Sequence, residues 1–219
     1  MRLRTLAGGL SAAALMSVVV PASAGPASEL ASAFASPFAS PEARDLARRI
    51  QAAADHAQRP YAIVDKRNAR IHVFDAGGRL AGASAVLIGA APGDLSPLDI
   101  AHRTPASLRP HERITPAGRF ETEPGHNDKG EAIVWIDYDA SLALHRLRPS
   151  PPSERRAQRL ASATPDDNRI SLGCVIVPVA FYDNVVAPLL GRRPEKSLGD
   201  EPLIGDAALR GDLEVHPRR

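Results

Sequence analysis

The sequence predicts a mainly β, β-rich α+β fold with short flanking helices. Three observations carry that prediction. Between Tyr61 and Val177 apolar residues recur in short runs of period two, the spacing that sends alternate side chains to one face of a strand. Turn signals such as Lys66-Arg67-Asn68, Asp75-Ala76-Gly77-Gly78 and Asp166-Asp167-Asn168 separate those runs. Helical periodicity is confined to the flanks and to one insertion. With 219 residues, 44% of them hydrophobic and 24% charged, the chain can bury a core of its own. A single Cys excludes an intramolecular disulfide and a multi-cysteine zinc site.

The N-terminus has the three parts of a secretory signal. Arg2 and Arg4 precede an apolar stretch from Leu6 to Val20, and Pro21-Ala22-Ser23-Ala24 supplies an A-x-A cleavage site. Residues 1–24 are therefore expected to be removed, and the protein to be periplasmic or otherwise extracytoplasmic. The apolar stretch is short of the roughly 20 residues a spanning helix needs, so no stable membrane insertion is expected after cleavage. Arg2 and Arg4 are the only charged side chains it removes, leaving 25 basic against 25 acidic groups. That balance, with aromatics at 4%, argues against a nucleic-acid partner.

Residues 25–59 read as an Ala/Ser/Pro-rich linker followed by a helix. Ser40 is its N-cap, Pro41 its first residue and Glu42 a first-turn acid, with Leu46, Ile50 and Ala53 or Ala54 as its apolar stripe and an end near Ala57. A meander follows: Tyr61–Asp65, Ala69–Asp75 and Leu80–Ile88. In the second run Ile71 and Val73 share one face, His72 and Phe74 the other. Residues 89–112 read as a Pro-rich surface loop. Residues 114–120 combine a turn with a returning strand, and Gly125–Glu131 is turn-like. Ala132–Tyr138 and Ser141–His145 are strands, and Ser153–Ser162 is a basic helical insertion. Val175–Val177 is a strand, and Pro178 starts a helix with Phe181, Val185 and Leu189 apolar and Pro188 near its end. The β-rich domain is expected over 60–191, with 192–219 a C-terminal extension.

Cys174 is the candidate nucleophile. A thiol reacts as its thiolate, so it needs a base or a nearby positive charge at neutral pH. Gly173, lacking a Cβ, lets a carbonyl come close, and the N–H groups of Gly173 and Cys174 could face a developing oxyanion. Among seven histidines, His145 stands out, closing the short apolar strand Leu142-Ala143-Leu144. The plainer readings are a small buried core residue for Cys174 and a hydrogen-bonded edge histidine for His145. Nothing in the sequence calls for a cofactor or a metal: there is no second thiol, no His-x-x-x-His pair and no Gly-rich loop opening a helix. Arg155, Arg156 and Arg159 read as a solvated helix face.

Three segments, in order, resemble the L,D-transpeptidase catalytic domain, the YkuD-like family. Ile114-Thr115-Pro116-Ala117-Gly118-Arg119-Phe120 looks like its T-P-x-G-x-F segment, Leu144-His145 stands where its catalytic His follows a short strand, and Ser171-Leu172-Gly173-Cys174 is similar to its S-H-G-C motif. Leu172 replaces the motif's His, Ile176 stands where Asn is common, and no Arg follows Cys174-Val175. The resemblance implies a β-sandwich and action on peptidoglycan stem peptides. In its terms Cys174 attacks an L-centred carbonyl with release of D-Ala, His145 is the base, and the Arg146 carbonyl orients its ring. Gly173 and Cys174 then form the oxyanion hole, and Ser171 supports the site. The implied activity is L,D-transpeptidation. A carboxypeptidase or endopeptidase using the same acyl-enzyme is the alternative, as is a degenerate wall-binding module. Oligomeric state is not legible.

Overall fold

A computed structural model describes residues 39–192 and 211–216. The signal segment 1–24 and the linker up to residue 38 lie outside the described residues. Helix α1, Pro41–Ala53, begins as the sequence dictates: the Ser40 side chain accepts from the Ala43 N–H at 3.1 Å. It ends four residues earlier than expected, where Ala54 turns left-handed at φ 49°. Its buried face is Ala43, Ala47 and Ile50, with Leu46 packed alongside. Ala53 and Ala54 face solvent.

Ten strands follow among the described residues: β1 Tyr61–Asp65, β2 Arg70–Phe74, β3 Leu80–Ala85, β4 Ile88–Gly89, β5 Gly118–His126, β6 Ala132–Asp137, β7 Leu142–Arg146, β8 Arg169–Ser171, β9 Val175–Val177 and β10 Gly211–His216. Eight of them form one sheet in the order β3-β2-β1-β10-β5-β6-β7-β9, while β4 and β8 pair separately. The run expected as one strand, Leu80–Ile88, is thus divided. Val86 leaves the ladder to bond the Ala69 carbonyl, and Leu87 exchanges both backbone hydrogen bonds with Ile176, at 2.8 and 2.9 Å. That bridge joins the chain after one edge strand of the sheet to the other edge strand.

The sheet is bent enough for its two ends to share a core. Ala62, Val64, Ile71 and Val73 from one end meet Val134, Ile136, Leu142, Leu144, Val175 and Val177 from the other. Burying each Val, Leu or Ile contributes about 1.5–3 kcal/mol. On the opposite side of β1 and β2, Tyr61, Ile63 and Phe74 pack under α1, with Tyr61 and Phe74 stacked at 4.6 Å. The period-two alternation therefore sorts the meander onto two cores.

Helix and strand are both well represented, so the chain is mixed α+β, not mainly β. Much of the added helix comes from single turns opened by prolines, Pro105–Ser107, Pro110–Glu112, Pro152–Glu154 and Pro165–Asn168. Pro fixes φ near the helical value and lacks the N–H that a first turn leaves unused. The insertion keeps only a short helix α2, Arg156–Ala161. After β9 the chain is helical over Val179–Phe181, π-helical over Tyr182–Val186 and helical again over Ala187–Leu189. The wider turn precedes Pro188, which has no N–H to continue the ladder. Its core-facing residues are Tyr182, Val186 and Leu190, one position beyond those expected, while Phe181, Val185 and Leu189 flank them.

Two further expectations are corrected. Gly125 is not in a turn but inside β5, which runs to His126. Part of the supposed C-terminal extension is β10, paired in parallel with β1 and antiparallel with β5. Asp212-Leu213-Glu214-Val215-His216 alternates as a strand should, but its partners are distant in sequence. No helix among the described residues is long and apolar enough to cross a membrane.

Candidate active site

Strands β7 and β9 run in parallel, with Leu144 opposite Val175 and His145 opposite Ile176. Leu142, Leu144, Val175 and Val177 point into the core. The alternation sends His145, Ile176 and Cys174 to the other face, where all three line a cleft of about 780 Å³. Strand spacing and rise put the Cα atoms of His145 and Cys174 roughly 8 Å apart on this diagonal. Ser171, Leu172, Ser141, Arg148 and Arg156 also line the cleft.

His145 is 6% exposed, and its Nδ1 lies 2.8 Å from the Arg146 carbonyl oxygen. A carbonyl only accepts, so Nδ1 carries the proton and Nε2 is left as the basic nitrogen. Burial pushes its pKa down to about 4, against the raising effect of that carbonyl, so the ring is neutral at neutral pH. Burial likewise pushes the Cys174 thiol up; the Ala143 N–H, Arg148, its own N–H and Arg156 pull the other way. The half-buried thiol points at the Ser141 carbonyl, 3.7 Å away. Ser141 stands at φ 52°, a left-handed turn just before β7 that aims this carbonyl.

The 171–174 turn is tied at three points. Ser171 Oγ donates to the Cys174 carbonyl at 2.6 Å and accepts from the Gly173 N–H at 3.1 Å. Thr115 Oγ1 donates to the Gly173 carbonyl at 2.6 Å and accepts from the Gly89 N–H at 2.8 Å. Gly173 has φ 143°, and a Cβ there would lie 3.0 Å from the Ile114 carbonyl oxygen. The Gly173 N–H is thus engaged with Ser171, and of the two expected oxyanion donors the Cys174 N–H is the one left facing the thiol.

The structure brings Cys174, His145, Ser171, Gly173 and the Arg146 carbonyl into one neighbourhood. The Arg146 side chain turns away to Asp183 at 3.2 Å and lies over the Tyr182 ring, 4.5 Å from its centroid. Sequence reasoning missed three contributors. Thr115 sits in the T-P-A-G segment, but its role needs contacts that local pattern does not reveal. Ser141 acts through its backbone. Arg148, close to Glu131 at 2.5 Å, carries charge towards His145 and Cys174. Arg156, expected on a solvated face, instead lines the cleft beside Glu154 at 2.6 Å, and Arg159 donates to the Asp167 carbonyl at 2.7 Å. Neither a family model nor a curated protein matches this chain.

Proposed function

We propose that this protein is an exported cysteine acyltransferase of the L,D-transpeptidase class, acting on peptidoglycan stem peptides. One observation carries the reading: Cys174 and His145 share a cleft from adjacent strands, with His145 Nδ1 held by the Arg146 carbonyl and Nε2 left free for the thiol proton. The order of the three sequence segments adds to it, and so does the bent sheet, whose shared core suits a β-sandwich. Removal of residues 1–24 would leave the protein in the periplasm or an equivalent compartment.

The reaction begins from a neutral pair. His145 Nε2 takes the thiol proton as Sγ attacks the carbonyl of the L-centred third residue. The Cys174 N–H and the positive charges of Arg148 and Arg156 favour the negative charge that develops. Collapse of the tetrahedral intermediate breaks the bond to D-Ala, whose amine receives the proton from His145. The thioester is then taken by an amine, whose proton passes to His145 and back to the departing sulfur. Water in place of the amine gives the carboxypeptidase or endopeptidase outcome.

Incubating the purified protein with a disaccharide-tetrapeptide and a free D-amino acid tests this. Exchange of the terminal residue, lost in Cys174→Ala, is the expected result. Release of D-Ala without exchange would move the reading to a hydrolase. Absence of both products would favour a wall-binding module.

A further inference from the structure

We infer that the cleft carries a sugar subsite on Trp135 and Tyr138, which takes a pyranose ring of an N-acetylated amino-sugar chain. The ring site stands on geometry alone; the choice of polymer rests on the proposed function. Trp135 is the only tryptophan of the chain, and it lies outside the core. It projects from β6 on the side away from Val134 and Ile136, into the cleft that holds Cys174.

Its orientation is built in. A Cβ at Gly125 would come within 2.6 Å of the Trp135 Nε1 and 2.7 Å of its Cδ1. The missing side chain is what lets the indole lie against the β5 backbone. Tyr138 meets it edge-on, centroids 5.0 Å apart and planes at 73°. Tyr138 is nonetheless 71% exposed, so neither the core nor Trp135 buries it. Asp128 and Asp139 line the same cleft, and their carboxylates have no hydrogen bond or ion pair among the described residues.

This combination selects among ligands. A pyranose has a face of C–H groups, which suits the electron-rich face of an aromatic ring, and a rim of hydroxyls. Rim hydroxyls and an acetamido N–H donate to free carboxylates in charge-assisted hydrogen bonds. A nucleic-acid base would stack equally well, but its phosphates would meet Asp128 and Asp139, while the cleft's Arg148 and Arg156 are paired with Glu131 and Glu154. A cleft of about 780 Å³ also has room for sugar beside a peptide.

The test is titration of the purified protein with a β-1,4-linked N-acetylglucosamine tetramer, followed by emission of the single tryptophan and by calorimetry. A saturable emission change is expected. Tyr138→Ala should weaken binding roughly tenfold, as loss of one aromatic stack would, and Tyr138→Phe should stay within about twofold. Tyr138 is a surface residue, so circular dichroism should be unchanged. Cys174→Ala should bind as the wild type. No saturable emission change and no heat, unaltered binding in Tyr138→Ala, or tighter binding of oligothymidylate would each overturn the inference. Sugar binding without amino-acid exchange would instead sink the acyltransferase reading alone.

Discussion

At the scale of single residues, burial decides the protonation states. His145 and His72 are both buried, and desolvation pushes each pKa down to about 4. The unfolded chain binds these protons near pH 6.5, so between pH 6.5 and 4 it holds more protons than the folded chain. Stability contributed by the neutral rings is present above pH 6.5 and is lost as pH falls towards 4. The loss is on the order of 3 kcal/mol for each ring. Urea midpoints measured from pH 7.5 to 4.5 should fall steadily, whereas a flat profile would contradict the assignment. On the proposed mechanism the same shift should move the acid limb of exchange below the ordinary histidine range, because His145 stays neutral down to about pH 5. Replacing His145 with Gln should remove exchange by roughly a hundredfold or more while the thermal transition stays cooperative.

Among elements, the 171–174 turn is the one most exposed to damage from a distance. Thr115 Oγ1 is a buried hub between the Gly89 N–H and the Gly173 carbonyl. Thr115→Val keeps the shape but leaves both backbone groups unpaired, at a cost of about 1–3 kcal/mol for each. Melting temperature and exchange rate should both drop, and a change in neither would show that the turn is held by other means. Gly173→Ala adds strain of about 1–3 kcal/mol at φ 143° and presses a methyl on the Ile114 carbonyl. It should slow exchange more than it lowers the melting temperature, because the displaced neighbour is Cys174. This scale also marks the limit of sequence reading. The short apolar run Leu142-Ala143-Leu144 singled out His145 at a strand end, but spacing alone could not pair it with Cys174; that pairing needs β7 and β9 side by side. Thr115 likewise gains its role only when Gly89 and Gly173 are brought to it, and the break after β3 depends on the bridge from Leu87 to Ile176.

For the whole molecule, β10 is the element that the sequence concealed. It stands between β1 and β5, so the meander and strands β5, β6, β7 and β9 belong to one sheet only through β10. Ending the chain at residue 210 should leave β1 and β5 with unpaired edges and abolish cooperative unfolding. A truncated protein with an unchanged transition would contradict this topology. The mixed α+β character was underestimated for a related reason: prolines that read as breakers open single helical turns around the cleft. The insertion is part of that rim, since Pro149, Pro151, Glu154 and Arg156 all line the cleft. The central claim is that this rim surrounds a thiol that becomes acylated. Intact-protein mass spectrometry after brief exposure to a stem tetrapeptide tests it most directly. The account predicts an added mass equal to the tripeptide acyl group, located on the peptide that contains Cys174 and absent from Cys174→Ala. An unmodified protein, or the same adduct in Cys174→Ala, would contradict it.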